Sequence, residues 1–172
     1  MNYKRLFILV EGNDDERFFK NILESKFNKK FDFVEIIKYA TTKKEKINNF
    51  INSIQAMGAD YMFVADINNC PCITAEKQKI QKKYKNINSN KIIVVIKEIE
   101  SWYAAGCLKF RMCLSNNTNE ITKNQFINLI PKKFDSKIDF MAEILKNFSI
   151  EEAKKKNISF DYLIKKYKLD DI

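Results

Sequence analysis

The chain is predicted to be an α/β protein with a mostly parallel four-stranded sheet flanked by helices and with a helical C-terminal extension. Three observations predict this fold class. Four short apolar runs lie within the first hundred residues, segments with helical spacing separate them, and only helix-like segments follow residue 98. Strands that alternate with helices form parallel sheets, because each helix carries the chain back across the sheet. With 172 residues, the chain is long enough to bury a core.

Each predicted strand is a short apolar run, and each predicted helix has apolar residues at helical spacing. The strands are RLFILVE at 5–11, FDFVEIIK at 31–38, DYMFVAD at 60–66 and KIIVVIK at 91–97. Helices are expected between the strands at about 14–26, 43–56 and 74–85, and after them at about 99–109, 122–130, 136–147, 150–156 and 159–168. We expect an α/β core at 1–109 and a helical extension at 110–172, packed on the same domain.

The composition narrows the classes of function. Thirty-one Lys and Arg against 22 Asp and Glu give a net charge of +9, which favours a polyanionic partner such as nucleic acid. The alternative is that the abundant Lys, Asn and Ile reflect an AT-rich genome. The sequence has no His, which excludes Ser-His-Asp and Cys-His catalysis and His-ligated zinc. Catalysis would therefore rest on carboxylates, Lys, Tyr, Cys or a metal.

The apolar runs are too short for a membrane protein. None approaches the roughly 20 residues that span a bilayer. The start MNYKRLFILVEG is basic, but its apolar stretch is too short for a signal peptide and ends in Glu11. We expect a cytoplasmic protein. A Gly-rich phosphate loop is also absent, which excludes nucleotide binding of the P-loop type.

Acidic residues follow three of the four predicted strands. Glu11 ends the first strand, Asp66 ends the third, and Glu98 and Glu100 follow the fourth. Open α/β sheets bind ligands at the carboxyl ends of their strands, so these carboxylates are expected at one edge. Carboxylates in one crevice repel each other unless a cation neutralises them, and Mg²⁺ prefers such oxygen ligands. Two ions about 4 Å apart would suit phosphodiester cleavage.

Several of these acids have an alternative structural interpretation. Asn13 followed by Glu16 is typical of a capping box, and Asp14 and Asp15 would stabilise a helix N-terminus by charge. This interpretation does not cover Glu11, which continues a buried strand.

The segment after the fourth strand also leaves alternatives open. Glu98 and Glu100 face one side if the strand continues through them, and diverge if a helix has begun. Lys97 either contacts phosphate or pairs with the neighbouring Glu98.

LFILVEGNDDERFF at 6–19, followed by YMFVADINN at 61–69, resembles the Toprim domain of primases, topoisomerases and related nucleases. Glu11 and Gly12 match the first Toprim motif, and Asp15 matches an acid often found three positions after that Gly. Asp66 matches the first Asp of the second motif, where Asn68 replaces the second Asp. IKEIESWYAAG at 96–106 is similar to small stand-alone Toprim proteins related to overcoming-lysogenization-defect nucleases, which are often encoded beside an ATPase.

This resemblance implies a Mg²⁺-dependent nuclease acting on DNA or RNA, with Mn²⁺ as the alternative ion. Glu11 would act as general acid/base or metal ligand, and Asp66, Asn68 and Glu100 would hold the ion, with Asp15 and Glu98 as additional candidates. An ATPase and a second copy of the chain are the candidate protein partners. Two alternatives remain, a catalytically inactive interaction module or nucleic-acid sensor, and a ribonuclease for structured RNA.

The cysteines offer a zinc alternative. Cys70, Cys72, Cys107 and Cys113 supply four thiols, but their spacings are not those of common zinc sites, so zinc is not expected. Cys107 and Cys113 are expected to be small buried residues.

Overall fold

A computed structural model describes residues 3–110 and 115–170. Two compact units can be distinguished, Met1–Val94 and Val95–Asp171, and each is described by itself. The predicted domain boundary at 109/110 stays a prediction. Within the described ranges, no helix combines the length and apolar character that a membrane crossing needs.

The first unit is built on a four-stranded parallel sheet, which confirms the predicted fold class. Its strands are β1 (Arg5–Val10), β2 (Phe33–Lys38), β3 (Asp60–Asp66) and β4 (Ile92–Val95), in the order β2-β1-β3-β4. Central β1 pairs in parallel with β2 on one side and β3 on the other, with Leu9 opposite both Ile37 and Phe63. The central strands β1 and β3 are buried along most of their length.

Helices cover the sheet of the first unit. They are α1 (Asn13–Phe18), α2 (Glu24–Phe27), α3 (Lys44–Ala56) and α4 (Ile73–Lys83); a π-helical turn at Phe19–Leu23 joins α1 to α2, and a 3₁₀ turn at Ser89–Lys91 precedes β4. The apolar faces of α3 and α4 pack on one side of the sheet. Ile47, Ile51 and Ile80 from these helices join Leu9 and Phe63 in one core cluster.

The second unit contains the helices α5 (Glu100–Gly106), α6 (Lys123–Asn128), α7 (Lys137–Lys146), α8 (Ile150–Lys156) and α9 (Ile158–Tyr167). Helix α5 ends three residues earlier than predicted. The ring of Phe148 packs so closely on Gly106 that a Cβ there would lie 2.3 Å from it, and the Ser149 N–H donates to the Gly106 carbonyl. Any larger residue at position 106 would have to displace the Phe148 ring.

The predicted extent of the fourth strand is wrong at both ends. Residues 89–91 form the 3₁₀ turn, and β4 ends at Val95 instead of residue 97. Lys97 has a φ of +62°, which turns the chain out of the extended conformation. Glu98 and Glu100 therefore do not alternate along a strand; Glu98 precedes α5, and Glu100 begins it.

Candidate active site

The candidate site lies where the strand order of the sheet reverses. From β1 the chain continues to β2 on one side, and then crosses back to β3 on the other side of β1. Ligands of open parallel sheets bind outside the carboxyl ends of the strands at such a switch point. Glu11 directly follows β1, and Asp66 is the last residue of β3. The structure thus places these two predicted residues at the ends of neighbouring strands.

Gly12 and Asp15 shape the turn after Glu11. Gly12 is the N-cap residue of α1, and its N–H donates to Asp15 Oδ2 at 3.1 Å. Asp15 is only 7% exposed, so its carboxylate is held inside the turn. The structure gives Asp15 a capping contact, and its predicted role as an additional metal ligand stays a prediction.

The predicted capping box of Asn13 and Glu16 is wrong. Because Gly12 is the N-cap, the third helical position is Asp15, one residue before Glu16. Glu16 instead pairs with Lys20 at 2.8 Å and with Lys38 at 2.9 Å, and hydrogen bonds from both lysines lower its pKa. Asn13 Oδ1 accepts a hydrogen bond from Lys38 Nζ at 2.8 Å.

The carboxylates at this edge of the sheet raise the pKa of a buried tyrosine. Tyr39 is 7% exposed, and its hydroxyl donates to the Val64 carbonyl at 2.9 Å. Burial raises the pKa of Tyr39 strongly, and the negative charges of Glu11, Asp15 and, more weakly, Asp66 raise it further. The three carboxylates therefore act on one buried phenol.

A cavity of about 200 Å³ opens beside Glu11. The strand register, continued past Leu9 and Phe63, brings Glu11 level with Ala65, which also lines the cavity. The charged and amide side chains of the lining are Glu11, Asn68, Glu76, Lys79 and Lys83. Asp66 is not among the described residues of the lining. One cavity thus combines carboxylates, an amide and two lysines.

Asn68 lies in the turn after β3 and has a φ of +50°. Asparagine adopts this left-handed conformation more readily than most residues. Its Nδ2 donates to the Asp66 carbonyl oxygen at 2.9 Å, so its Oδ1 is on the opposite side of the amide from that carbonyl. The amide oxygen remains suited to accept a hydrogen bond or to ligate a cation.

Glu76 is a candidate residue that the sequence analysis missed. It lies in the first turn of α4, lines the cavity and is only 3% exposed. It was overlooked because α4 reads as a solvated, Lys-rich helix. The signal was its spacing, since Glu76 precedes the buried Ile80 by four residues and so shares the inward face of the helix.

Two other predicted site residues, Glu98 and Lys97, have partners within the second unit. Glu98 Oε2 accepts the N–H of Lys123 at the start of α6, where its charge also complements the helix dipole. Lys97 Nζ pairs with Glu120 at 3.1 Å, and both side chains are exposed. The roles of Glu98 as a metal ligand and of Lys97 as a phosphate contact stay predictions.

Glu100 forms a buried ion pair. Its carboxylate is 4% exposed and pairs with Lys137 Nζ from α7. The ammonium group supplies the opposite charge that a buried carboxylate requires. Its predicted role as a metal ligand stays a prediction.

The metal-binding capacity of the site depends on its oxygen donors. Among the described residues, no three or more Cys, Asp or Glu side chains are grouped closely enough to hold a metal by themselves. Mg²⁺ usually binds through one or two carboxylates and retains several waters, so Glu11, Asp66 and the Asn68 amide are a suitable donor set. Cys70 and Cys72 are partly or fully exposed and Cys107 is buried, while Cys113 lies outside the described residues.

Fold and site together define an α/β protein with an acidic, lysine-flanked cavity at the switch point of a parallel sheet. Comparisons with family models, curated proteins and solved structures find no match for the chain. The Toprim resemblance therefore stays a prediction.

Proposed function

We propose that the chain is a Mg²⁺-dependent, Toprim-like protein that cleaves phosphodiester bonds in DNA or RNA. The observation that carries the proposal is the placement of Glu11 and Asp66 at the switch point, beside a cavity that also holds Lys79 and Lys83. Carboxylates attract a divalent cation, and lysines attract the phosphate that such a cation would polarise. A site for an uncharged substrate would not need both carboxylates and lysines.

Glu11, Asp66 and Asn68 would hold the cation, with water completing its shell. When bound, Mg²⁺ would polarise the phosphoryl oxygen and lower the pKa of a coordinated water. Lys79 and Lys83 bind the non-bridging phosphate oxygens and orient the phosphorus towards the carboxylates. Glu11 accepts the proton of the attacking water as the bond from phosphorus to the leaving oxygen breaks, and returns it to that oxygen.

The test is cleavage of fluorescent single-stranded DNA, duplex DNA and matched RNA by the purified chain, with Mg²⁺ or Mn²⁺. Glu11→Gln and Asp66→Asn are expected to abolish cleavage and cation binding. Glu45→Gln is the matched control, because Glu45 is an exposed acid in the first turn of α3. Cleavage and cation binding that persist in both site variants would overturn the proposal, and competition between RNA and DNA identifies the substrate.

A second candidate function is an interaction module or nucleic-acid sensor without catalysis. Asn68 favours it, because the amide brings no charge to the donor set and weakens the hold on a cation. This candidate predicts that nucleic acid binds without being cleaved. Cleavage that is lost in Glu11→Gln would exclude it.

The proposed protein partners are an ATPase and a second copy of the chain. An ATPase partner is tested by co-purification with the chain, and a second copy of the chain by the mass of the purified protein in solution.

A further inference from the structure

The side chain of Glu76 has no role in the contacts described so far, although it is among the most buried acids of the described chain. Its Oε2 accepts no hydrogen bond from any described residue. The nearest ammonium group, Lys79 Nζ, is 3.6 Å away, beyond hydrogen-bond distance, and the Lys79 side chain is 59% exposed. A buried carboxylate whose charge is only partly compensated by a solvated ammonium group is destabilising.

The cavity offers space for a bound cation close to Glu76. Glu76 and Glu11 line the same space of about 200 Å³, and the Asn68 amide lines it as well. Two carboxylates, an amide oxygen and waters are the oxygen ligands that a hard divalent cation prefers, and Lys79 and Lys83 of the same lining can hold the phosphate that such a cation binds. Glu76 is also well positioned to ligate, because α4 is anchored through the buried Ile80 one turn later.

We infer that Glu76 is a further oxygen ligand of the divalent cation in this cavity, facing the same ion as Glu11. This inference rests on the proposed function, since it adds a residue to that site. It also explains why an acid is tolerated on the inward face of a Lys-rich helix.

The experiment is calorimetric titration of the full chain with Mg²⁺ and with Mn²⁺, comparing wild type, Glu76→Gln and Glu11→Gln. Loss of a supporting contact alone lowers metal affinity about ten- to a hundredfold, so loss of a charged ligand in Glu76→Gln is expected to weaken binding by at least about tenfold. The matched control is Glu143→Gln, because Glu143 also pairs with a lysine three residues later but lies on α7.

The outcomes separate this inference from the proposed function. Binding by Glu76→Gln at wild-type strength, with loss in Glu11→Gln, overturns the role of Glu76 and leaves the proposed function standing. An absence of binding by wild type overturns both. Weakened binding in Glu76→Gln with unchanged binding in Glu143→Gln supports the inference.

A thermal unfolding scan shows whether Glu76→Gln has a folding defect. Without cation, Glu76→Gln is expected to melt no lower than wild type, because the substitution removes a buried charge that the exposed Lys79 compensates only in part. Added Mg²⁺ should raise the melting temperature of wild type more than that of the variant. An equal rise in both proteins would contradict the inference.

A measurement on the wild-type protein tests the ligand role of Glu76 without any substitution. The carboxyl-carbon NMR signal of Glu76 is expected to shift on addition of Mg²⁺, with the same saturation as in calorimetry. A signal that stays unchanged at saturation would overturn the assignment.

Discussion

Asn68 combines a backbone role with a chemical role at the end of β3. Its positive φ requires a residue that tolerates the left-handed region, and its amide lines the cavity. Aspartate also adopts this conformation, so Asn68→Asp should add a negative charge without straining the turn. We expect this variant to bind Mg²⁺ up to about tenfold more tightly, since the number of charged ligands tunes the affinity of such sites. Calorimetry measures the change.

The matched variants for this prediction are Asn68→Gly and Asn68→Ala. Glycine keeps the backbone conformation and removes the amide, so it should weaken cation binding and lower stability only by the lost hydrogen bond to the Asp66 carbonyl, about 1 kcal/mol. Alanine should also lower stability by about 1–2 kcal/mol, because it is strained at a positive φ. Tighter binding in the glycine variant would contradict a ligand role for the amide.

Tyr39 makes the stability of the protein sensitive to alkaline pH. Its pKa is raised by burial and by neighbouring carboxylates, so the folded chain retains the phenolic proton when the unfolded chain has released it. This contribution is fully present below pH about 10, and above it the free energy of unfolding falls by up to about 1.4 kcal/mol per pH unit. Denaturant unfolding between pH 8 and pH 11 should show a shallower fall for Tyr39→Phe than for wild type.

The control for the pH effect is Tyr3→Phe, because Tyr3 is exposed. Its profile should follow that of wild type. Parallel profiles for wild type and Tyr39→Phe would show that other groups cause the alkaline loss of stability.

At the scale of the elements, a buried asparagine ties α9 to the rest of the second unit. Asn157 is fully buried; its Nδ2 donates to Ser101 and Thr118, and its Oδ1 accepts from the Ser159 hydroxyl and the Phe160 N–H. All four hydrogen-bonding positions of the amide are therefore used. Asn157→Ala should lower the free energy of unfolding by about 2–4 kcal/mol, because it leaves buried partners unsatisfied. A loss below about 1 kcal/mol, measured with denaturant, would contradict this role.

Helices α5 and α7 are joined by the buried pair of Glu100 and Lys137. Lys137→Met should lower the free energy of unfolding by about 3–5 kcal/mol, because Glu100 would remain buried without its counter-charge. Adding Glu100→Gln should recover most of that loss. Lys146→Met, at the exposed pair with Glu143, is the control and should change stability by less than about 1 kcal/mol. Equal losses for the two lysines would exclude the buried-charge explanation.

These elements also show what the sequence could predict. The central strands β1 and β3 were predictable because their continuous apolar runs can only be buried, and they carry Glu11 and Asp66 to the expected edge. The end of β4 was not predictable, because a lysine with a positive φ at position 97 leaves no pattern in the sequence. The spacing of Glu76 and Ile80 shows only that they share one face of α4; tertiary packing decides that this face meets the sheet, which is why Glu76 was missed.

At the scale of the whole molecule, many of the lysines that make up the net charge have acidic partners. Lys154 pairs with Asp170 at 2.5 Å and Lys91 with Asp60 at 2.6 Å. Such pairs reduce the local field that a phosphate would experience. The net charge of +9 therefore says less about nucleic-acid binding than the position of particular lysines does.

Lys79 and Lys83 should account for a defined part of the salt dependence of nucleic-acid binding. Each lysine that neutralises a phosphate releases counterions, and it contributes about 0.9 to the slope of log affinity against log salt on duplex DNA. The Lys79→Gln and Lys83→Gln double variant is therefore expected to lower the slope by about 2, measured by fluorescence anisotropy from low to physiological salt.

The control for this prediction is the Lys43→Gln and Lys44→Gln double variant, which makes the same change of charge at exposed positions at the start of α3. It should alter the slope much less, because these lysines do not line the cavity. If both double variants lower the slope equally, the lysines act through overall charge and the cavity is not the phosphate site. A loss confined to Lys79 and Lys83 would connect the positive charge to the carboxylates at the switch point, because the same cavity would then hold both the phosphate and the acids.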